Sequence, residues 1–156
     1  MLEKTLVLLK PSSVQRGLIG EIIRRFERKG LILSGLKMIW LDDKILDEHY
    51  AHLKDQPFFQ KLKKAMTLSP VIVCCWKGID AVKVVRSLVG VTNSREALPG
   101  TIRGDYSMSM QKNIIHASDS PETAAEELKR FFNENELFDY NLSLITNLYA
   151  DSELNL

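Results

Sequence analysis

His116 ends the run Asn113-Ile114-Ile115 and opens a string of small polar residues, Ala117-Ser118-Asp119-Ser120-Pro121. An imidazole is a nucleophile at neutral pH when its second nitrogen is held by an acceptor. The chain downstream offers one. Ser120-Pro121 reads as an N-cap followed by the first residue of a helix. On that helix Ala124, Ala125, Leu128, Phe131 and Phe132 mark the apolar stripe. At about 100° per residue Glu127 lies at the edge of the stripe and Glu126 points away from it. Glu127 is thus expected to face inward and Glu126 to face water. Plainer readings stand beside these: a loop-edge histidine satisfied by hydrogen bonds, and a solvated helix charge.

The sequence has neither a GxxxxGK[ST] nor a GxGxxG phosphate loop, and Gly17 and Gly20 alone form no such motif. A nucleotide site must therefore be built from side chains. Lys10 stands at a strand end, Arg86 on a helix, and Thr92, Arg103 and Asn113 in or beside one irregular segment. Such positions can converge on a cleft. Tyr50 and Phe58 fall in a helical insertion. Of the consecutive Phe58 and Phe59 one ring must turn away from the core, and an exposed ring can stack on a nucleobase. His49 and His52 have near metal-ligand spacing on a helix, but no third ligand is evident, and a solvated helix face is the better reading.

The elements that would carry these groups follow from periodicity. Thr5–Leu9 is a continuous apolar run, a strand buried on both faces. Ser12 and Gln15 have capping-box spacing ahead of a helix carrying Leu18, Ile19, Ile22, Ile23 and Phe26, with Gly30 as its C-cap. A second strand spans Leu31–Leu41, with Leu36, Met38 and Trp40 alternating. Asp42 and Asp43 can cap a helix carrying Leu46, Tyr50 and Leu53, and Pro57 reads as the first residue of another. Pro70–Trp76 is a third strand and Gly78–Val89 a helix closed by Gly90. Val91–Gly104 has no clear period, and a long irregular loop in a compact domain is usually functional. Asn113–His116 supplies a last strand.

This order predicts an α+β fold: a ferredoxin-like, four-stranded antiparallel sheet with helices on one face and a helical-hairpin insertion. One domain is expected over 1–156, with 145–156 as a C-terminal tail. The chain is 45% hydrophobic with a formal net charge of +1, so no global field favours nucleic acid or an acidic membrane. No segment has the length of a membrane span or the features of a signal peptide. The two cysteines, Cys74 and Cys75, are strand neighbours that point to opposite faces, consistent with buried thiols in a reducing cytoplasm.

Four ordered segments together carry a family likeness: Lys10–Gly30 (KPSSVQRGLIGEIIRRFERKG), Glu48–Phe59 (EHYAHLKDQPFF), Pro99–Asp105 (PGTIRGD) and Asn113–Ser120 (NIIHASDS). The sequence resembles nucleoside diphosphate kinase over nearly its whole length. The resemblance implies ping-pong transfer of the γ-phosphate of a nucleoside triphosphate to a nucleoside diphosphate through a phosphohistidine on His116. It implies that Glu127 orients the imidazole and that Arg86, Thr92 and Arg103 bind phosphates. Tyr50 would border the transfer site, Lys10 and Asn113 would hold the sugar hydroxyl region, and Phe58 would stack on the base. Mg²⁺ is implied as cofactor, held mainly through substrate phosphates. A homohexamer is the expected assembly, with a tetramer as the other form, and Val91–Gly104 would both line the nucleotide site and meet neighbouring subunits.

Five residues depart from the family pattern. Ser12-Ser13 replaces an Asp-Gly pair, so a turn needing φ > 0 would be strained at Ser13. Ala117 replaces a glycine beside the histidine, and Val91 and Ser94 are atypical in the loop. Ala117 and the altered loop motivate the alternative, a non-catalytic nucleotide- or nucleic-acid-binding protein of the same fold.

Overall fold

The computed structural model describes residues 2–154; the ends of the expected 1–156 domain and 145–156 tail lie outside the described residues. Four strands, β1 (Glu3–Leu9), β2 (Ile32–Ile39), β3 (Val71–Gly78) and β4 (Ile115–Ala117), form one sheet in the order β2-β3-β1-β4. Every pairing is antiparallel. The central strands β1 and β3 are apolar on both sides because both sides are covered.

Alternation along β1 divides the core in two. Val7 and Leu9, with Cys74 and Trp76 of β3, pack under α2 (Ile19–Lys29) and α5 (Ala81–Val89). Leu6 and Leu8, with Val73 and Cys75, pack under α3 (Asp43–His49), α4 (Phe59–Met66) and α7 (Pro121–Phe131). The two crossover helices thus share one face, as a ferredoxin-like arrangement requires. The expectation of helices on one face alone is corrected, because the insertion and the last long helix cover the other. The two cysteines are free, buried and on opposite faces.

Local details also differ from the sequence reading. Ser12 caps nothing: it lies inside a short helix, α1 (Pro11–Gln15), which places Pro11 at N1. Leu18 precedes α2 without a side-chain cap, so the expected capping box is absent. Pro57 precedes α4, which begins at Phe59. Tyr50 and Leu53 lie beyond the end of α3, Tyr50 as its C-cap. Asp42 does cap α3, accepting from the Ile45 amide at 2.8 Å. Ser120 caps α7 through the Thr123 amide at 3.1 Å. Gly30 ends α2 at φ 99°, a left-handed conformation that a β-carbon would strain. Within Val91–Gly104 the chain enters a further short helix, α6 (Ile102–Tyr106), capped by Thr101. No helix among the described residues is long and apolar enough to cross a membrane.

β4 is shorter than its sequence suggests. Ile114 has φ 63°, which a β-branched residue adopts only under constraint. It is fully buried, and its carbonyl accepts both from the Lys10 amide (2.9 Å) and from Ser13 Oγ. The chain therefore kinks at Ile114 before pairing with β1, and the kink sets where His116 emerges. Ser13 itself has an ordinary backbone conformation, so the expected strain is not there.

Candidate active site

His116 is paired with Leu8 across the sheet and followed by the turn into α7. One helical turn and a half later α7 brings back Glu127, which is buried, while Glu126 is exposed. His116 Nε2 lies 2.8 Å from Glu127 Oε1, and Ser118 Oγ donates to Glu127 Oε2 at 2.6 Å. A carboxylate only accepts, so Nε2 carries the proton and Nδ1 keeps its lone pair. Burial alone would raise the Glu127 carboxyl. The His116 bond and charge and the Ser118 hydroxyl outweigh it and hold the group ionised, below its ordinary range.

The histidine opens onto a cleft of about 590 Å³. Lys10, Tyr50, Arg86, Thr92, Arg103, Asn113, His116 and Glu127 all line it. These eight predicted residues come from α5, α6, β4, α7, the ends of β1 and α3, and the connecting loops. Phe58 is not among the lining residues; it is 38% exposed at the N-terminus of α4, with Phe59 turned into the core. The expected division between the two rings is therefore observed.

The cationic side chains are fixed in distinct ways. Arg103 is buried and donates to three backbone carbonyls: Gly90 at 2.9 Å, Ile115 at 2.6 Å and Asn113 at 3.3 Å. Burial, and then the charge of Arg86, lower it to about 10, so it remains a cation at neutral pH. A guanidinium has five N–H donors, so two remain for a ligand. Lys10 Nζ donates to Asn113 Oδ1 at 2.6 Å, and Asn113 Nδ2 donates to the Thr92 carbonyl at 3.2 Å. Burial and the charge of Arg103 push Lys10 down to about 8. Arg86 is exposed on the cleft wall. Tyr50 is buried with its hydroxyl unpartnered among the described residues, and burial raises its pKa. The arrangement offers one uncommitted nucleophilic nitrogen facing cationic walls, suited to a polyanion that reacts at one atom.

Two groups escaped the sequence reading. His49, taken for a solvated residue, is 6% exposed and lines the cleft. The signal was present: Leu46, His49, Tyr50 and Leu53 stand at i, i+3, i+4 and i+7, which puts His49 on the buried side. Arg130, one turn after Glu127, also lines the cleft. His49, His116 and Glu127 offer ligand atoms within 4.8 Å of one another. Two imidazoles and one carboxylate, whose oxygens already accept from His116 and Ser118, do not suit Mg²⁺, which prefers oxygen ligands and retains water. Asp119 and Glu126, exposed carboxylates on the cleft wall, suit it better through water.

The remaining departures take ordinary places in the fold. Ala117 has a regular strand backbone and packs into the core beside β1. Ser94 is buried, donating to the Ser109 carbonyl at 2.9 Å, and Val91 is exposed.

A family model described as nucleoside diphosphate kinase matches residues 3–137. A nucleoside diphosphate kinase of Parabacteroides distasonis is 68% identical over 152 residues, covering 97% of this chain and 99% of that protein. One from Bacillus licheniformis is 53% identical, covering 88% and 93%. The solved halophilic nucleoside diphosphate kinase of Halobacterium salinarum, in complex with CDP, superimposes with a TM-score of 0.93 at 42% identity, covering 96% of this chain and 99% of that one.

Proposed function

The chain belongs to the nucleoside diphosphate kinase family, enzymes that transfer a phosphoryl group from a nucleoside triphosphate to a nucleoside diphosphate, and we propose that His116 carries that group between the two half-reactions. The observation that carries the proposal is the Nε2–Glu127 bond, which leaves Nδ1 as the nitrogen free to react.

In the first half-reaction the Nδ1 lone pair attacks the γ-phosphorus. The bond to the β,γ-bridging oxygen breaks, and the diphosphate leaves with the electron pair. Nδ1 is then bonded to phosphorus and the ring is cationic, which the buried Glu127 carboxylate stabilises at Nε2. In the second half-reaction a terminal oxygen of another diphosphate attacks the same phosphorus and the N–P electron pair returns to Nδ1. No net proton transfer is needed. Charge develops on the equatorial and leaving oxygens, so Arg86, Thr92 and the two uncommitted donors of Arg103 serve as phosphate ligands. Tyr50 borders the transfer site. Lys10, tied to Asn113, contacts the sugar hydroxyls with it. Phe58, exposed though not among the cleft-lining residues, is proposed to stack on the base, a contact that reads no hydrogen-bond pattern and so tolerates different bases.

Family members need a divalent cation, and Mg²⁺ is the expected one; it would be held mainly through the substrate phosphates, with Asp119 as the side chain that would hold it through water. It would neutralise phosphate charge. The CDP held by the Halobacterium salinarum relative supports a nucleotide in this fold. The chain is further proposed to act in the cytoplasm as a homohexamer, or alternatively a tetramer. The apolar residues Leu36 and Met38 of β2 and Trp40 just beyond its end are 50–62% exposed and are proposed to meet a second copy. The non-catalytic alternative is not favoured, since none of the proposed catalytic or phosphate-binding groups is missing and the relatives are named as kinases.

The test is a γ-labelled triphosphate. The protein gains an acid-labile phosphate, and His116→Ala loses both the label and turnover, by about 10⁴-fold or more. Turnover by the alanine variant near the parent rate would sink the assignment.

A further inference from the structure

Glu127 has two imidazoles near one oxygen. Oε1 lies 2.8 Å from His116 Nε2 and 3.8 Å from His49 Nδ1. If His49 carried a proton on Nδ1, a small rotation would let it donate to the same oxygen. The carboxylate would then be shared, and the His116 ring would lose the contact that fixes it.

Something already occupies His49 Nδ1. Arg130 Nη1 lies 3.2 Å from it. A guanidinium only donates, so Nδ1 accepts and the proton sits on Nε2, which is buried with no partner among the described residues. Glu48 Oε1 lies 3.3 Å from Arg130 Nε, an ion pair without hydrogen-bond geometry. Arg130 therefore links α7 to two successive residues of α3. The His49 ring packs nearly perpendicular to that of His116, centroids 4.8 Å apart, with Tyr50 at 4.6 Å and Phe131 at 5.1 Å completing its cage. Burial, then the charge of His116, push His49 down to about 3, so it stays neutral at working pH.

We propose that Arg130 and His49 are a positioning pair that reserves Glu127 for His116. Arg130 fixes the tautomer of His49, and His49, unable to donate toward Glu127, acts as a wall that keeps the His116 ring aligned with Nδ1 toward the cleft. Neither residue takes part in the bond changes. The proposal rests on His116 being the phosphoryl carrier, but its structural half is measurable without any turnover.

Two measurements test it. Long-range ¹⁵N–¹H spectra of the free protein should show His49 with an acceptor-type Nδ1 and a protonated Nε2, and Arg130→Met should shift that tautomer balance. In pre-steady-state assays Arg130→Met should slow phosphorylation of His116 by about tenfold with little change in triphosphate KM. Arg130→Lys, which can still donate, should recover most of the rate. In a His49→Phe background, which keeps the ring and removes both nitrogens, adding Arg130→Met should change nothing further. An Nδ1-protonated His49 in the parent protein would overturn the proposal. So would an Arg130→Met defect confined to KM and equal in both backgrounds, since Arg130 would then be a direct phosphate ligand. If instead no phosphohistidine forms in the parent protein, the reading of His116 fails while the His49 tautomer still reports on the pair.

Discussion

The sheet has two edges, and they are finished in opposite ways. β4 is three residues long and its outer side is closed from within the chain. Ile114 gives its carbonyl to the β1 side, and Arg103 takes the carbonyls of Asn113 and Ile115. A third Arg103 bond reaches Gly90, so one guanidinium stitches the loop after α5 to the strand that carries His116. β2 is eight residues long and displays Leu36 and Met38 to solvent, with Trp40 just beyond its end. An exposed apolar edge strand invites pairing unless it is covered or charged. The β4 edge thus holds the site, and the exposed apolar β2 edge is the one proposed to meet a second copy.

The largest test of this contrast removes the stitch. Arg103→Met leaves three inward carbonyls without their cationic donor. It should cost about 3–5 kcal/mol in urea unfolding, besides abolishing most turnover. A loss below about 1 kcal/mol would mean that Arg103 serves only the substrate and that β4 holds itself. At the other edge, Leu36→Glu with Met38→Lys should leave the far-UV spectrum of the chain intact and lower its mass in solution at micromolar concentration. These side chains are already exposed, so the intrinsic stability of one copy should move within about 1 kcal/mol. An unchanged assembly in light scattering would remove β2 from the interface.

The same contrast explains what the sequence could disclose. Periodicity marks long, well-covered elements, so β1, β3, α2, α5 and α7 were readable within a few residues, and so was the inward turn of Glu127. The candidate site residues stood out only as polar groups at element ends and in one irregular loop, and their roles came from the family likeness, because Lys10, Arg86, Thr92 and Arg103 share no spacing that single-chain reasoning can see. What was missed depended on tertiary contact. The kink at Ile114 is stabilised by Ser13 and Lys10, about a hundred residues upstream, so Asn113–His116 looked like a plain strand. Ser12 looked like a cap because the tightness of the Pro11 turn, which makes a separate α1, leaves no trace in a pattern of residue types. His49 reads as solvated when a histidine is counted as polar, although its position on the Leu46–Tyr50–Leu53 stripe is a buried one. Arg130 had no signal of its own, since its partner is that same histidine.

The smallest effect concerns the junction between the active edge and the sheet centre, where Lys10 leaves β1. In the folded chain Lys10 loses its proton near pH 8, whereas the unfolded chain holds it to about 10.5. Between those values the unfolded state binds more protons, so this residue makes folding more favourable as pH rises through the window, and the burden of its buried charge is complete below it. Lys10→Met should therefore be more stable than the parent at pH 7, with the advantage shrinking toward pH 10. Nucleotide binding runs the other way, because an anionic ligand needs the charge. The parent's KM for a nucleoside diphosphate should climb above pH 8, while the variant's should start high and carry less of that rise. Parallel KM profiles in the two proteins would show that another group titrates there. Lys10 would then be held for its bond to Asn113 rather than for its charge.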